Sequence, residues 1–140
     1  MNEKSYTRVR ELMRPSPRVI DGLATVEEAV AVMRTENIGS LVIDRRHEGD
    51  EYGLVVLADI ASKVIAGNHS PARTNVYEIM SKPVLNVDAD MDIKYAIRLL
   101  SRFELSRALV TEQGRLIGIV TVREMVFRFV TGDGGEAGSA

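Results

Sequence analysis

Thr7-Arg8-Val9-Arg10-Glu11-Leu12-Met13 returns 67 positions later as Thr74-Asn75-Val76-Tyr77-Glu78-Ile79-Met80, so the pattern Thr-x-Val-x-Glu-(Leu/Ile)-Met occurs twice. The same offset pairs Ile20-Asp21 with Val87-Asp88, Ala29-Val30 with Ala96-Ile97, Met33 with Leu100, and Leu41-Val42 with Ala108-Leu109. Gly53-Leu54-Val55 then matches Gly118-Ile119-Val120 at an offset of 65, which leaves two extra residues in the first copy for a turn to absorb. A unit repeated at this period usually cannot cover its own apolar face and stacks on its twin. One copy of about 60 residues would bury only about 60% of its unfolded surface, whereas a chain of about 150 reaches roughly 68–70%. The sequence therefore predicts one pseudo-symmetric module of two repeats, residues 1–67 and 68–131, followed by a Gly-rich flexible tail, 132–140.

Within each copy the hydrophobic spacing predicts helix, extended segment, helix, strand, strand, helix. A short helix ends at Met13 or Met80, and Pro15-Ser16-Pro17 or Lys82-Pro83 breaks it. Thr25-Val26-Glu27-Glu28 is a capping box, so a helix starts at Val26. Val26, Ala29, Val30 and Met33 form one apolar stripe, repeated by Ile93, Ala96, Ile97 and Leu100 behind Asp92. Leu41-Val42-Ile43 and Leu54-Val55-Val56 read as a hairpin around a polar turn, and residues 108–110 and 116–120 as a tighter one. Each second strand runs straight into a helix, Asp59 to Ala66 or Glu124 to Val130.

Composition narrows the function classes. With 45% hydrophobic and 27% charged residues the chain is an ordinary soluble protein. No stretch resembles a membrane span, and Met1 to Ser5 lacks a secretory leader, so the cytoplasm is expected. Zero cysteines excludes disulfides, thiolate metal sites and a cysteine nucleophile, and a net charge of −2 gives no reason to expect nucleic acid. The two histidines, His47 and His69, have no evident partner, and no nucleophile elbow or phosphate-binding Gly-rich loop is present. An enzyme is therefore not expected. Asp88-Ala89-Asp90-Met91-Asp92 reads as a helix cap ahead of a metal site.

Val9 to Met13, Thr25-Val26-x-Glu28-Ala29, Asn37-Ile38-Gly39-Ser40-Leu41-Val42 and Gly114-Arg115-Leu116-Ile117-Gly118-Ile119-Val120-Thr121 together resemble the CBS domain, found in tandem pairs called Bateman modules. The resemblance covers roughly residues 7 to 130. It implies an α/β (α+β) fold of two pseudo-symmetric repeats, each a small three-stranded sheet packed with two helices and joined to its twin through the sheets. It also implies two clefts between the repeats that hold AMP, ADP, ATP or S-adenosylmethionine, and a homodimer formed through the helices. Such modules regulate and seldom catalyse.

The family's ligand signature is Gly-hydrophobic-x-(Ser/Thr)-x-x-Asp at a strand-to-helix turn, where the acid receives two ribose hydroxyls and the hydroxyl and helix amides meet the ligand. Copy one reads Gly53-Leu54-Val55-Val56-Leu57-Ala58-Asp59, keeping the acid but not the hydroxyl. Copy two reads Gly118-Ile119-Val120-Thr121-Val122-Arg123-Glu124, keeping the hydroxyl with a longer acid. Asp59 is the better ribose acceptor by that pattern. Both acids also stand where helices begin, a place that favours an acid without any ligand. Positions matching the family's phosphate contacts are Ser40, Ser106, Arg107 and Arg123, so copy two supplies all the charge, directed by the resemblance toward the cleft of Asp59. Val19, Ile20, Val84 and Leu85 are candidates to surround the base.

The expectation is a nucleotide-sensing regulatory module acting on a protein partner. The alternative is a ligand-free CBS dimer that serves as an interaction scaffold. Val126, Phe127, Phe129 and Val130, with Val64-Ile65 echoing them, carry more apolar surface than one buried stripe needs and point to a homodimer.

Overall fold

The computed structural model describes residues 6–132. The expected flexible tail, apart from Gly132, and the leader reading of Met1 to Ser5 lie outside them. In chain order the elements are α1 (Val9–Leu12), β1 (Arg14–Pro15), β2 (Val19–Ile20), α2 (Val26–Glu36), β3 (Ser40–Ile43), β4 (Gly53–Val56) and α3 (Leu57–Asp59). A π-helix, Ile60–Ile65, and a 3₁₀ turn, Val76–Glu78, follow, then β5 (Asn86–Asp88), α4 (Ile93–Arg102), β6 (Arg107–Glu112), β7 (Arg115–Thr121) and α5 (Val122–Thr131).

The described chain forms two compact units whose limits are offset from the sequence repeats: Arg18–Val84 is one, and the residues up to Pro17 together with those from Leu85 onward are the other. The opening segment of copy one is built into the unit of copy two. There β1 pairs antiparallel with β7, Arg14 opposite Ile119 and Pro15 opposite Gly118, giving a four-stranded sheet in the order β1-β7-β6-β5. The opening segment of copy two likewise joins the copy-one unit through a Leu54–Ser81 bridge beside its three-stranded sheet, β2-β3-β4. A three-stranded sheet in each repeat therefore holds for one unit, and the exchanged segment widens the other.

A Met–Gly contact fixes each exchange. A Cβ on Gly118 would overlap Met13 Sδ and lie 2.9 Å from the Arg14 carbonyl oxygen, and one on Gly53 would stand 2.5 Å from Met80 Sδ. The absent side chain leaves room for the crossing segment at both positions.

The copy-one core gathers Val26, Ala29 and Met33 of α2 with Leu41, Ile43, Val55, Ile60, Val64, Val76 and Ile79. The other core gathers Val9, Leu12, Val87, Ile93, Ala96, Leu100, Ala108, Val110, Val120 and Met125. Thr25 caps α2 as expected, with Glu28 N donating to Thr25 Oγ1 at 3.1 Å and Thr25 N to Glu28 Oε1 at 2.9 Å. Asn37, in the left-handed conformation, ends it. Val30 departs from the predicted core stripe and is exposed.

Two helices differ from expectation. The helix predicted to begin at Asp59 starts at Leu57 and widens into a π-helix, with Ala66 N donating to Ala61 O at 2.8 Å. Ile60 and Val64, four residues apart, are both buried on it. The short helix predicted before Met80 is a single 3₁₀ turn. α5 begins at Val122 and closes at Gly132, which has a φ of 73°. Among the described residues no helix is long and apolar enough to cross a membrane.

Candidate functional site

The strand-to-helix turns are built alike in the two units. Ser40 opens β3 opposite Val56, the last residue of β4, and Arg107 opens β6 opposite Thr121, the last residue of β7. In each unit the carbonyl before the first strand receives the first amide of the helix: Leu57 N donates to Gly39 O at 3.2 Å, and Val122 N to Ser106 O at 2.9 Å.

The two turns then satisfy their next amides differently. In the copy-two unit Thr121 Oγ1 accepts from Glu124 N at 3.0 Å, so the hydroxyl caps α5 and the acid is left over. In the copy-one unit Val56 has no hydroxyl, and Asp59 turns back so that its Oδ2 accepts from Val56 N at 3.1 Å. Lys63, four residues on, stands 3.6 Å from Asp59 Oδ1 and also donates to Ile79 O at 3.1 Å. Lys63 went unremarked in the sequence reading, although its i,i+4 spacing from an acid on a helix is a readable signal.

Arg107 and Glu124 are the two described residues with a buried side-chain polar atom that lacks any hydrogen-bond partner, Nε of the arginine and Oε1 of the glutamate. Burial draws the Arg107 guanidinium below its ordinary pKa, and the charge of Glu124 opposes that fall. These two residues therefore share one local electrostatic environment, across a strand pair and a single helical turn.

The remaining sequence candidates are placed as follows. Arg123 is exposed, with its guanidinium 4.8 Å above the Phe127 ring. Ser40 is half-buried and Ser106 exposed. Val19 and Ile20 pair in parallel with Val42 and Ile43, Val19 partly open and Ile20 packed against its unit's core. Leu85 packs against the other core, and its carbonyl accepts from Leu109 N at 2.9 Å. The acidic run before α4 is occupied locally. Asp92 Oδ1 caps Lys94 N at 3.1 Å, Asp88 Oδ2 accepts from Asp90 N at 2.9 Å, and Asp90 pairs with Arg10 at 3.0 Å. Among the described residues no three His, Cys, Asp or Glu side chains gather to hold a metal.

Val64 was expected to echo the exposed face of α5, but it is fully buried in the copy-one core, and of the pair Ile65 alone is exposed. Val126, Phe127, Phe129 and Val130 are exposed as the sequence suggested. With Tyr6, Ile93, Ile97 and Met125, three of them border a shallow groove of about 390 Å³.

Comparison with known proteins places these turns in a family. The CBS domain family matches residues 9–66 and 76–130. A curated relative, an uncharacterized protein of Methanopyrus kandleri, is 36% identical over 113 residues, 77% of this chain and 56% of that protein. The chain thus spans about half the length of that relative. Among solved structures, a hexameric CBS-CP12 protein from bloom-forming cyanobacteria superposes with a TM-score of 0.85 at 36% identity, covering 91% of this chain and 71% of that one. The CBS domain pair of protein MJ0100, solved in complex with 5′-methylthioadenosine and S-adenosyl-L-methionine, gives a TM-score of 0.75 at 25% identity over 88% of this chain and 99% of that one. With two tandem matches covering most of its length and the same mixed α/β repeats, the chain belongs to the CBS domain family.

Proposed function

We propose that this chain is a non-catalytic regulatory module of the cytoplasm that binds an adenosine-containing ligand and passes its occupancy to a partner protein. The observation that carries the reading is the pair of unsatisfied atoms, Arg107 Nε and Glu124 Oε1, at the turn where the family's ligand signature falls. A buried donor or acceptor without a partner costs about 1–3 kcal/mol, a cost that a bound polar molecule removes. The complex of the MJ0100 pair with two adenosine compounds supports the ligand class, AMP, ADP, ATP or S-adenosylmethionine. In this reading Asp59 and Glu124 receive sugar hydroxyls, Thr121, Ser40 and Ser106 add polar contacts, Arg107 and Arg123 supply positive charge, and Val19 and Ile20 border the base. Coupling of ligand to partner is typically about 1–3 kcal/mol, within reach of a small rearrangement in a module this size.

Thermal unfolding with AMP, ADP, ATP, S-adenosylmethionine and NAD tests the proposal. A ligand at 100 times its Kd stabilises by about 2.7 kcal/mol, several degrees for a domain of this size. Asp59→Ala and Arg107→Ala are each expected to weaken binding while the fold persists, and unchanged affinity in both would refute these site assignments.

A second reading, a ligand-free homodimeric scaffold, draws on the missing hydroxyl at Val56, the use of Asp59 as a helix cap, and the exposed apolar face of α5. No stabilisation by any adenosine compound would favour it.

A further inference from the structure

We propose that Arg107 and Glu124 act as a charge-compensated donor–acceptor pair that admits an uncharged hydroxyl or carboxamide end of a ligand and rejects a phosphate. The adenosine part of that ligand rests on the function proposed above, whose ligand class it narrows to members that set an uncharged end, and no phosphate, at this turn; the preference for an uncharged group rests on the copy-two unit alone. Arg107 Nε–H offers one donor and Glu124 Oε1 one acceptor, both buried and both unused. A hydroxyl or a primary amide accepts from the first and donates to the second. A phosphate at neutral pH brings acceptors and negative charge, so whatever it gains at Arg107 it loses beside the Glu124 carboxylate.

The helix end does not offset that loss. Two of the first three amides of α5 are already taken, Val122 N by Ser106 O and Glu124 N by Thr121 Oγ1, which spends much of the anion seat that a helix N-terminus otherwise offers. Burial weakens the hold of Arg107 on its proton, and the opposing influence of Glu124 shows that the arginine already has a counter-charge. The copy-one turn carries Ser40, Val56 and Asp59 at the matching positions, and its acid is already bonded to Val56 N and paired with Lys63, so the device belongs to copy two alone. Arg107 and Glu124 are each only part-buried as whole residues.

Two titrations of the full chain test this. The Nε–H resonance of Arg107 is followed by NMR during addition of inorganic pyrophosphate, and adenosine and AMP affinities are measured by calorimetry. In the wild type the Arg107 signal is expected to stay in place, and adenosine to bind about tenfold or more tighter than AMP. In Glu124→Gln the signal should move saturably with pyrophosphate, and the adenosine preference should shrink by about tenfold. Glu124→Met, uncharged and of similar length, repeats the measurement if the amide disturbs the fold. A wild-type Arg107 that titrates with pyrophosphate, or a preference unchanged by loss of the Glu124 charge, overturns the proposal. If neither adenosine nor AMP binds, the function proposed above fails, while the pyrophosphate titration still decides whether the pair rejects an anion.

Discussion

The backbone amide of Val56 donates to Oδ2 of Asp59 at 3.1 Å, while at the matching turn Thr121 caps its helix with a hydroxyl and leaves Glu124 Oε1 without a partner. Hydroxyl and acid thus serve different amides, the hydroxyl that of the third helical residue and the acid that of the residue before the helix, and at Thr25 and Glu28 both bonds are made together. The turn after Val56 keeps only the acid's half of such a box, and the turn after Thr121 only the hydroxyl's half.

Asp59→Ala is predicted to destabilise the chain by about 0.5–2 kcal/mol through loss of that cap, and Asp59→Asn, which keeps an acceptor, by less. Val56→Thr should complete the box, its hydroxyl accepting from the Asp59 amide while Asp59 keeps its own bond, and stabilise the chain by about 0.5–2 kcal/mol. Urea unfolding checks both. A stability loss as large in Asp59→Asn as in Asp59→Ala would show that charge or packing, and not the cap, is what Asp59 contributes.

Much of this was legible in the sequence, and the rest was hidden for physical reasons. The duplicated Thr-x-Val-x-Glu-(Leu/Ile)-Met pattern, the Thr25 capping box and the two hairpins report local propensity and periodicity, so they surfaced directly. The exchange of opening segments did not. Nothing local in Arg14-Pro15 says that it pairs with Ile119-Gly118 more than a hundred residues away, and Gly118 read as a ligand-signature glycine before its contact with Met13 was visible. The π-helix was likewise invisible, because apolar spacing alone does not separate it from an α-helix over six residues. At the site, residue types flagged Arg107 and Glu124 one by one. Their shared lack of partners is a property of packing.

The two signature glycines should respond unequally to alanine. At Gly118 the new methyl meets a flexible thioether and also the Arg14 carbonyl of β1 at 2.9 Å, which moves only if the β1–β7 pairing moves. At Gly53 the crowded atoms are Met80 Sδ, which can swing away, and Ser81 O at 3.3 Å. Gly118→Ala is predicted to cost about 1–3 kcal/mol and Gly53→Ala distinctly less. Equal costs in urea denaturation would argue that β1 is not anchored where its pairing places it.

Acid should loosen the copy-one unit through Asp50. The Arg46 amide donates to its Oδ2 at 3.0 Å and Lys82 Nζ at 2.9 Å, and these bonds hold the carboxyl well below its ordinary value of 3.8. A carboxyl with a depressed folded-state pKa stabilises fully above its unfolded value and loses that contribution as pH falls from there toward the folded one. Stability measured across that acid range should therefore decline less steeply in Asp50→Asn than in the wild type. Parallel curves would show that the hairpin turn and Lys82 contribute nothing through this charge.

The last helix bears on assembly. Phe127 is 53% exposed, Phe129 55% and Val130 76%, and Phe129 and Val130 border the groove between α5, α4 and the chain just before α1. Aromatic and β-branched side chains exposed together on one short helix exceed what a surface helix normally shows to water, and a second copy of the chain is the partner that the family resemblance implies. The prediction is a dimer at micromolar concentration that Phe129→Glu disperses, since a charge forced into an apolar interface has no partner to compensate it. Sedimentation velocity reads the outcome directly. Secondary structure should survive the substitution because Phe129 lies outside the buried core, whereas Met125, on the same helix but fully buried, would unfold the unit if changed to Glu. A wild-type chain that sediments only as a monomer would remove the dimer and leave the face of α5 for a different protein.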